Sequence, residues 1–296
     1  QQAVISGIWS TLMTLLINNG TLITASESFK ADILVEGEKI SQIGQDLTHP
    51  SADIVDVEGK YVLPGGVDAH VHLDLPMFGT VSSDDHYTGG KAAAFGGTTT
   101  LIDFVPQDEG SLEENITRWH AKADPIASVD FSFHMNITRF DQEVAKEIFS
   151  LPDLGITSLK VFTAYNGRLR LSDGEIFRVM RLARSAGMLT MVHAENGDVI
   201  DILVAEALAA GNKAPFFHAK TRPAWGAVEA SLRAAALSAQ AGDAPLYLVH
   251  MNTAGEVDQL AYAREHGLNM MGETCPQYLF FDESDLQRED AAKWIC

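Results

Sequence analysis

Short blocks of alternating apolar and polar residues fill the first part of the chain. Leu15-Leu16-Ile17 and Thr21-Leu22-Ile23-Thr24 flank Asn18-Asn19-Gly20, a pattern that predicts a β-hairpin. Further strands are expected over 31–36, 39–43 and 54–58, with glycine turns between them. Residues 13–64 therefore read as a small all-β module, short for a core of its own. Residues 1–12 precede Met13 and are read as an upstream or non-native leader.

From residue 65 the rhythm changes. Apolar, strand-like runs recur at 67–73, 98–105, 129–137, 158–164, 189–194, 246–251 and 269–273, with helical patterns between them. Ser111…Glu114, Ser172…Glu175 and Thr253…Glu256 have the spacing of capping boxes. Ile176, Val179, Met180 and Ala183 form an i, i+3, i+4, i+7 stripe, and Gly187 and Gly267 stand where C-caps belong. The interval after 189–194 is longer and holds an extra helix near 199–210 and a loop through 216–223. Strand–helix alternation at this spacing predicts parallel βα units, an α/β (β/α)8 barrel of the TIM type over 65–296. Seven strands are counted where eight close a barrel, and a helix is expected to begin near Asp285, so the chain is expected to be truncated at its C-terminus.

Composition narrows the class. The hydrophobic content of 46% supports a sizeable core, and the formal net charge of −19 argues against nucleic acid or an anionic membrane surface as partner. No basic n-region precedes the first apolar residues, and no apolar run reaches the ~18–20 residues of a membrane span. Cys275 and Cys296 form no C-x-x-C or zinc-finger pattern, which fits a reducing, cytoplasmic setting.

The candidate chemistry gathers at strand ends, where barrel enzymes keep their sites. His70 and His72 share one face of the first strand, a spacing that lets both grip one metal ion. Asp68 shares that face and is placed to orient a ligand imidazole. His193 and His250 end two other strands, and Lys160 lies inside the apolar run 158–164. A buried lysine of lowered pKa is a nucleophile. It serves either in a Schiff base or, after taking up carbon dioxide, as a carbamate able to bridge two metals that share a hydroxide. The surrounding histidines favour the carbamate. His134 reads as structural, and His49, His86, His120 and His266 as surface or helix positions. His218 is a candidate for shaping the site, and Cys275 reads as a buried structural residue.

Several stretches together resemble the amidohydrolase superfamily, and within it the dihydropyrimidinase/D-hydantoinase family of cyclic amidases. They are Gly66-Val67-Asp68-Ala69-His70-Val71-His72, the run 158–165, Val192-His193-Ala194-Glu195-Asn196-Gly197-Asp198, His218-Ala219-Lys220-Thr221-Arg222-Pro223, Val249-His250 and Gly272-Glu273-Thr274-Cys275-Pro276-Gln277-Tyr278-Leu279. The resemblance implies a barrel flanked by a β-sandwich, of which residues 13–64 would be the N-terminal half, and two divalent metal ions, zinc by expectation. His70 and His72 would hold one, His193 and His250 the other, and carboxylated Lys160 would bridge them. It also implies Tyr165 as oxyanion stabiliser and a homo-oligomer, tetramer or dimer, for the complete protein. The activity implied is ring opening of a hydantoin or 5,6-dihydropyrimidine, a small cyclic amide, to an N-carbamoyl amino acid. The family's last metal ligand, an aspartate that also acts as general base and acid, has no match here, so the chain alone is expected to be poorly active. Asp74, two residues after His72, argues against a dihydroorotase-like site, which places an arginine there. Cys275-Pro276-Gln277 argues against allantoinase, whose matching region is histidine-rich. A non-catalytic scaffold on the same fold is the remaining alternative, disfavoured by the full set of histidines and Lys160. Substrate choice is expected to depend on the loops 73–81 and 166–171.

Overall fold

The computed structural model describes residues 13–77 and 79–295. The leader assigned to residues 1–12 lies outside them, as does Cys296. The chain divides into two units between Gly66 and Val67.

The first unit is a five-stranded mixed sheet built from β1 (Thr14–Ile23), β2 (Ser28–Glu36), β3 (Lys39–Gly44), β4 (Asp53–Asp56) and β5 (Tyr61–Val62). The order is β3-β2-β1-β4, with β5 also paired to β1. The expected hairpin over 15–24 is instead one continuous strand. Its pairing with β2 shifts register between Ile17 and Gly20, the mark of a bulge. Asn19 has φ +63°. Its backbone N–H donates to Asp32 at 2.8 Å and its side-chain amide to Asp56 at 2.9 Å. A partner 13 residues away thus satisfies the backbone N–H that a local turn would have used, and one 37 residues away satisfies the side chain. Leu22, Ala31 and Ile33 form the core of this unit.

The second unit carries β6 (Gly66–Val71), a small antiparallel pair β7 (Pro76–Met77) and β8 (Thr80–Val81), then β9 (Thr98–Val105), β10 (Asp130–Asn136), β11 (Ser158–Phe162), β12 (Leu189–His193), β13 (Leu246–Leu248) and β14 (Met270–Gly272). Seven of them form one sheet of order β14-β13-β12-β11-β10-β9-β6, and the pairs from β9 to β14 are parallel. Each strand lies beside its predecessor, which is the (β/α)8 plan carried through seven strands among the described residues. The intervening helices are α1 (Thr88–Phe95), α2 (Leu112–Ala123), α3 (Gln142–Glu147), α4 (Asp173–Ser185), α5 (Gly197–Ala209), α6 (Phe216–Lys220), α7 (Ala224–Gln240) and α8 (Ala254–Glu265).

The three capping boxes form as read, at Ser111, Ser172 and Thr253. Helix α4 buries Ile176, Val179, Met180 and Ala183, the stripe its sequence marks. Gly187 and Gly267 take positive φ just beyond the ends of α4 and α8. Two expectations change. The loop over 216–223 contains α6, a short helix opened by Pro215 and separated from α7 by Pro223. The helix expected near Asp285 is two short 3-10 turns, Glu283–Gln287 and Ala291–Trp294. Between them Arg288 turns extended at ψ 160°, which ends the first turn.

Strand alternation divides the core into two layers. Leu159, Val161, Val192, Leu246 and Leu248 face the helices in the main core. Phe104, Met191 and Val249 pack together on the other face of the sheet. With Leu159 and Val161 committed to the helix side, Lys160 must point to the inner face, beside Phe104.

Candidate metal centre

The inner face gathers the candidate residues at the C-terminal ends of their strands. His70 is in the last turn of pleat of β6, and His72 follows it directly; their rings lie 5.3 Å apart. His193 ends β12 and His250 follows β13; their ring centroids are 4.8 Å apart. His250 is also 5.4 Å from His70, which joins the two pairs. Phe104 forms the floor. It stacks obliquely beneath His70 at 4.6 Å and His72 at 4.9 Å, and the Lys160 Nζ sits 4.9 Å from its ring.

Burial sets the electrostatics. The Lys160 ammonium, 2% exposed, is pushed down to about 7 by desolvation, with Glu273 pulling the other way. His72 is pushed down to about 3, chiefly by burial and then by His70 and Lys160. Burial lowers His193 and His250 as well. These three imidazoles are therefore neutral, the form that binds metals.

Two half-buried carboxylates complete the site. Glu195 Oε2 lies 2.6 Å from His193 Nε2, and Arg222 Nε stands 3.9 Å from its other oxygen. Glu273 accepts from His70 Nδ1, from the Tyr247 hydroxyl at 3.1 Å and from the His250 backbone N–H at 3.2 Å. Asp68 differs from expectation. It is exposed, and it accepts from the backbone N–H of His70 at 3.0 Å; the imidazole belongs to Glu273. The local spacing D-x-H favours that short backbone bond, whereas Glu273 arrives from 203 residues away. Glu195, Glu273 and Phe104 were not singled out from sequence. Glu195 and Glu273 do lie in family-like stretches, and Phe104 had no signal beyond its strand.

Tyr165 follows β11 with φ +67°, its carbonyl accepting from the N–H groups of Arg168 and Leu169 at 3.1 and 3.0 Å. These bonds hold a backbone shape costly for a non-glycine residue. Its ring is 5.0 Å from His193. Burial, then Glu195, raises its phenol, so it stays protonated and able to donate. Just beyond, Gly197 opens α5 where a Cβ would meet Ala164 Cα at 2.8 Å and Thr163 O at 3.2 Å. Gly197→Ala is expected to push α5 off this turn and destabilise the fold by about 1–3 kcal/mol, read from urea midpoints.

The other histidines sort by burial. His134 is fully engaged, Nδ1 to the Ser158 hydroxyl and Nε2 2.9 Å from the Ala69 carbonyl, as a structural tie between strands. His218 on α6 is electrostatically linked to Arg222 and Glu195. Cys275 is half-buried rather than buried. His86 is not a surface residue: it is 2% exposed, its Nε2 3.5 Å from Asp103. Asp103 accepts from the backbone N–H of Phe104 at 2.7 Å, and burial lifts its carboxyl from 3.8 to about 7. Between these values the folded protein holds a proton that the unfolded chain has released. Stability from this group therefore falls as pH rises from about 4 to about 7. The urea midpoint of Asp103→Asn is expected to move in the variant's favour, relative to wild type, across that window.

The donor set fits metal binding. His193 Nδ1 and His250 Nε2 face each other at 3.0 Å. Two ligands of one tetrahedral zinc, each at about 2.0–2.1 Å, sit roughly 3.3 Å apart. Among the described residues no three His, Cys, Asp or Glu side chains form a metal-holding group by themselves. The histidines need a further donor, and Lys160 is the side chain electrostatically coupled to His72, His193 and His250. Among the described residues no helix is long and apolar enough to cross a membrane.

Comparison with known proteins gives a consistent result. The profile of the amidohydrolase family matches residues 61–271. A D-hydantoinase of Geobacillus stearothermophilus is 46% identical over 287 residues, covering 96% of this chain and 61% of the relative. A D-hydantoinase of Streptomyces coelicolor is 44% identical over 290 residues, covering 95% and 62%. The crystal structure of dihydropyrimidinase from Brevibacillus agri superposes with a TM-score of 0.92 at 48% identity, over 94% of this chain and 61% of that one. The chain thus spans about three-fifths of the length of these relatives.

Proposed function

We infer the reaction from one premise: this chain belongs to the amidohydrolase family, with D-hydantoinases and dihydropyrimidinases among its relatives. The reaction proposed for the whole protein is hydrolysis of a cyclic amide. A hydantoin or 5,6-dihydropyrimidine ring opens at a C–N bond to an N-carbamoyl amino acid. His70 and His72 would hold one divalent ion, zinc, and His193 and His250 a second. The observation that carries this reading is the pair of neutral imidazole nitrogens facing each other at 3.0 Å beside a buried lysine.

Lys160, near 7 rather than 10.5, is about half in the amine form at neutral pH. Its lone pair adds to carbon dioxide and a proton leaves, giving an anionic carbamate that would reach both ions. When bound, the ions would supply a polarised carbonyl and a water acidic enough to attack at neutral pH. The protein's own groups do the rest. Phe104 and Phe162, with ring centres 4.9 and 5.5 Å from the Lys160 Nζ, keep bulk water from it. The Tyr165 hydroxyl would donate to the carbonyl oxygen as it gains charge. Against the cost of its burial, the His193 hydrogen bond and after it Arg222 keep the Glu195 carboxylate ionised. The acid–base aspartate implied by the family resemblance has no match here, so protonation of the leaving nitrogen is assigned to none of these side chains.

The test, made on the whole protein, is metal analysis together with ring opening of hydantoin and dihydrouracil, followed in the ultraviolet. Two metal ions per chain, loss of turnover on chelation and its return on re-addition of zinc are expected. Ring opening that survives complete metal removal would sink the proposal.

A further inference from the structure

Glu273 and Glu195 stand against different nitrogens of their histidines. A neutral imidazole carries one N–H, and a carboxylate only accepts, so the nitrogen facing the carboxylate is the protonated one. Glu273 takes Nδ1 of His70, which leaves the His70 lone pair on Nε2. Glu195 takes Nε2 of His193, which leaves that lone pair on Nδ1. It is this Nδ1 that looks at His250 Nε2 across 3.0 Å.

We propose that Glu273 and Glu195 are positioning residues that fix, in opposite senses, which nitrogen of His70 and of His193 is offered to a metal ion. The inference deepens the functional reading above and rests on it for the metal.

Both carboxylates are held firmly enough to dictate a tautomer. Glu273 directly follows β14, and its backbone is fixed on both sides: its N–H donates to Leu248 O at 3.0 Å, and its carbonyl accepts from Met251 N–H at 2.8 Å. Its side chain gathers donors from His70, Tyr247 and the His250 backbone, so one carboxylate orients a ligand from each proposed metal pair. It also links β14 to β6, the two edges of the seven-stranded sheet. The Glu195 backbone N–H donates to the Thr163 hydroxyl at 2.9 Å, and its side chain faces Arg222. Carboxylates behind metal-binding imidazoles fix ring orientation and raise basicity.

The experiment uses histidine-15N-labelled protein, first stripped of metal and then titrated with zinc and with cobalt. Long-range 15N–1H spectra, assigned with single His→Asn variants, are expected to show His70 protonated on Nδ1 and His193 on Nε2. Glu273→Ala and Glu195→Ala should each shift the matching histidine toward the other tautomer. Each should also weaken metal affinity by about 10–100-fold. Glu273→Gln and Glu195→Gln keep an accepting oxygen and should recover most of that loss, with circular dichroism confirming the fold of all four. A structural clasp alone would leave the tautomers unmoved, and that result overturns the inference. So does undiminished affinity in folded alanine variants, or a cobalt spectrum whose coordination number changes with Glu273→Gln, which would make Glu273 a direct ligand. A wild type that binds metal with either tautomer reversed overturns this inference alone. A wild type with both tautomers as stated but no metal uptake overturns the functional reading, and the metal-directed part of the inference with it.

Discussion

In the whole protein, Lys160→Met is expected to abolish the proposed ring opening, by roughly 10³-fold or more, while leaving the fold intact or stabilising it. Methionine matches lysine in length and fills the space beside Phe104, but it cannot take up carbon dioxide. The two proposed metal pairs then lose their common anionic ligand, and metal content should fall below two per chain. Stability should move the other way, with a pH dependence of definite sign. Burial brings the lysine in the metal-free protein from 10.5 to about 7, so between these values the unfolded chain binds the extra proton. Wild-type stability therefore rises with pH across that window, and below about 7 the full cost of burying the charge is present. The advantage of methionine should be greatest at and below neutral pH and fade toward pH 10.5. Urea midpoints of chelated wild type and variant at several pH values test this. Retention of two metals by Lys160→Met would remove the lysine from the site.

In the whole protein, Tyr165→Phe should lower kcat for the proposed reaction by about 10²–10³-fold with KM nearly unchanged, the usual scale for losing one donor to a developing oxyanion. Phenylalanine keeps the ring beside His193 and tolerates the φ of +67° no worse than tyrosine. Metal content and melting temperature should therefore stay at wild-type values. That separates this variant from Lys160→Met, which loses metal and activity together. A kcat within about threefold of wild type would show that Tyr165 only packs.

Much of this site was legible because the signals are local. Strand alternation put His70 and His72 on one face, and the apolar run around Lys160 marked it as buried. S/T-x-x-E marked three helix starts, all of which form. Local chemistry also misled where distant groups outbid it. Asn18-Asn19-Gly20 carries strong turn residues, yet Asp32 and Asp56 satisfy Asn19 inside one strand. His86 has polar neighbours in sequence, Asp84 and Asp85, but packs among Phe131, Phe133 and Asp103.

What the sequence alone determined is the order of elements, the strand ends and the family-like histidine and lysine pattern. These depend on periods of two and 3.6 and on contacts a few residues apart. The tertiary structure alone decided the protonation and aim of those side chains. Desolvation exists only after β9, β11, β12 and β13 have closed over Lys160, His193 and His250. A carboxylate can select the nitrogen of His70 only when the chain has brought Glu273 across 203 residues to meet it.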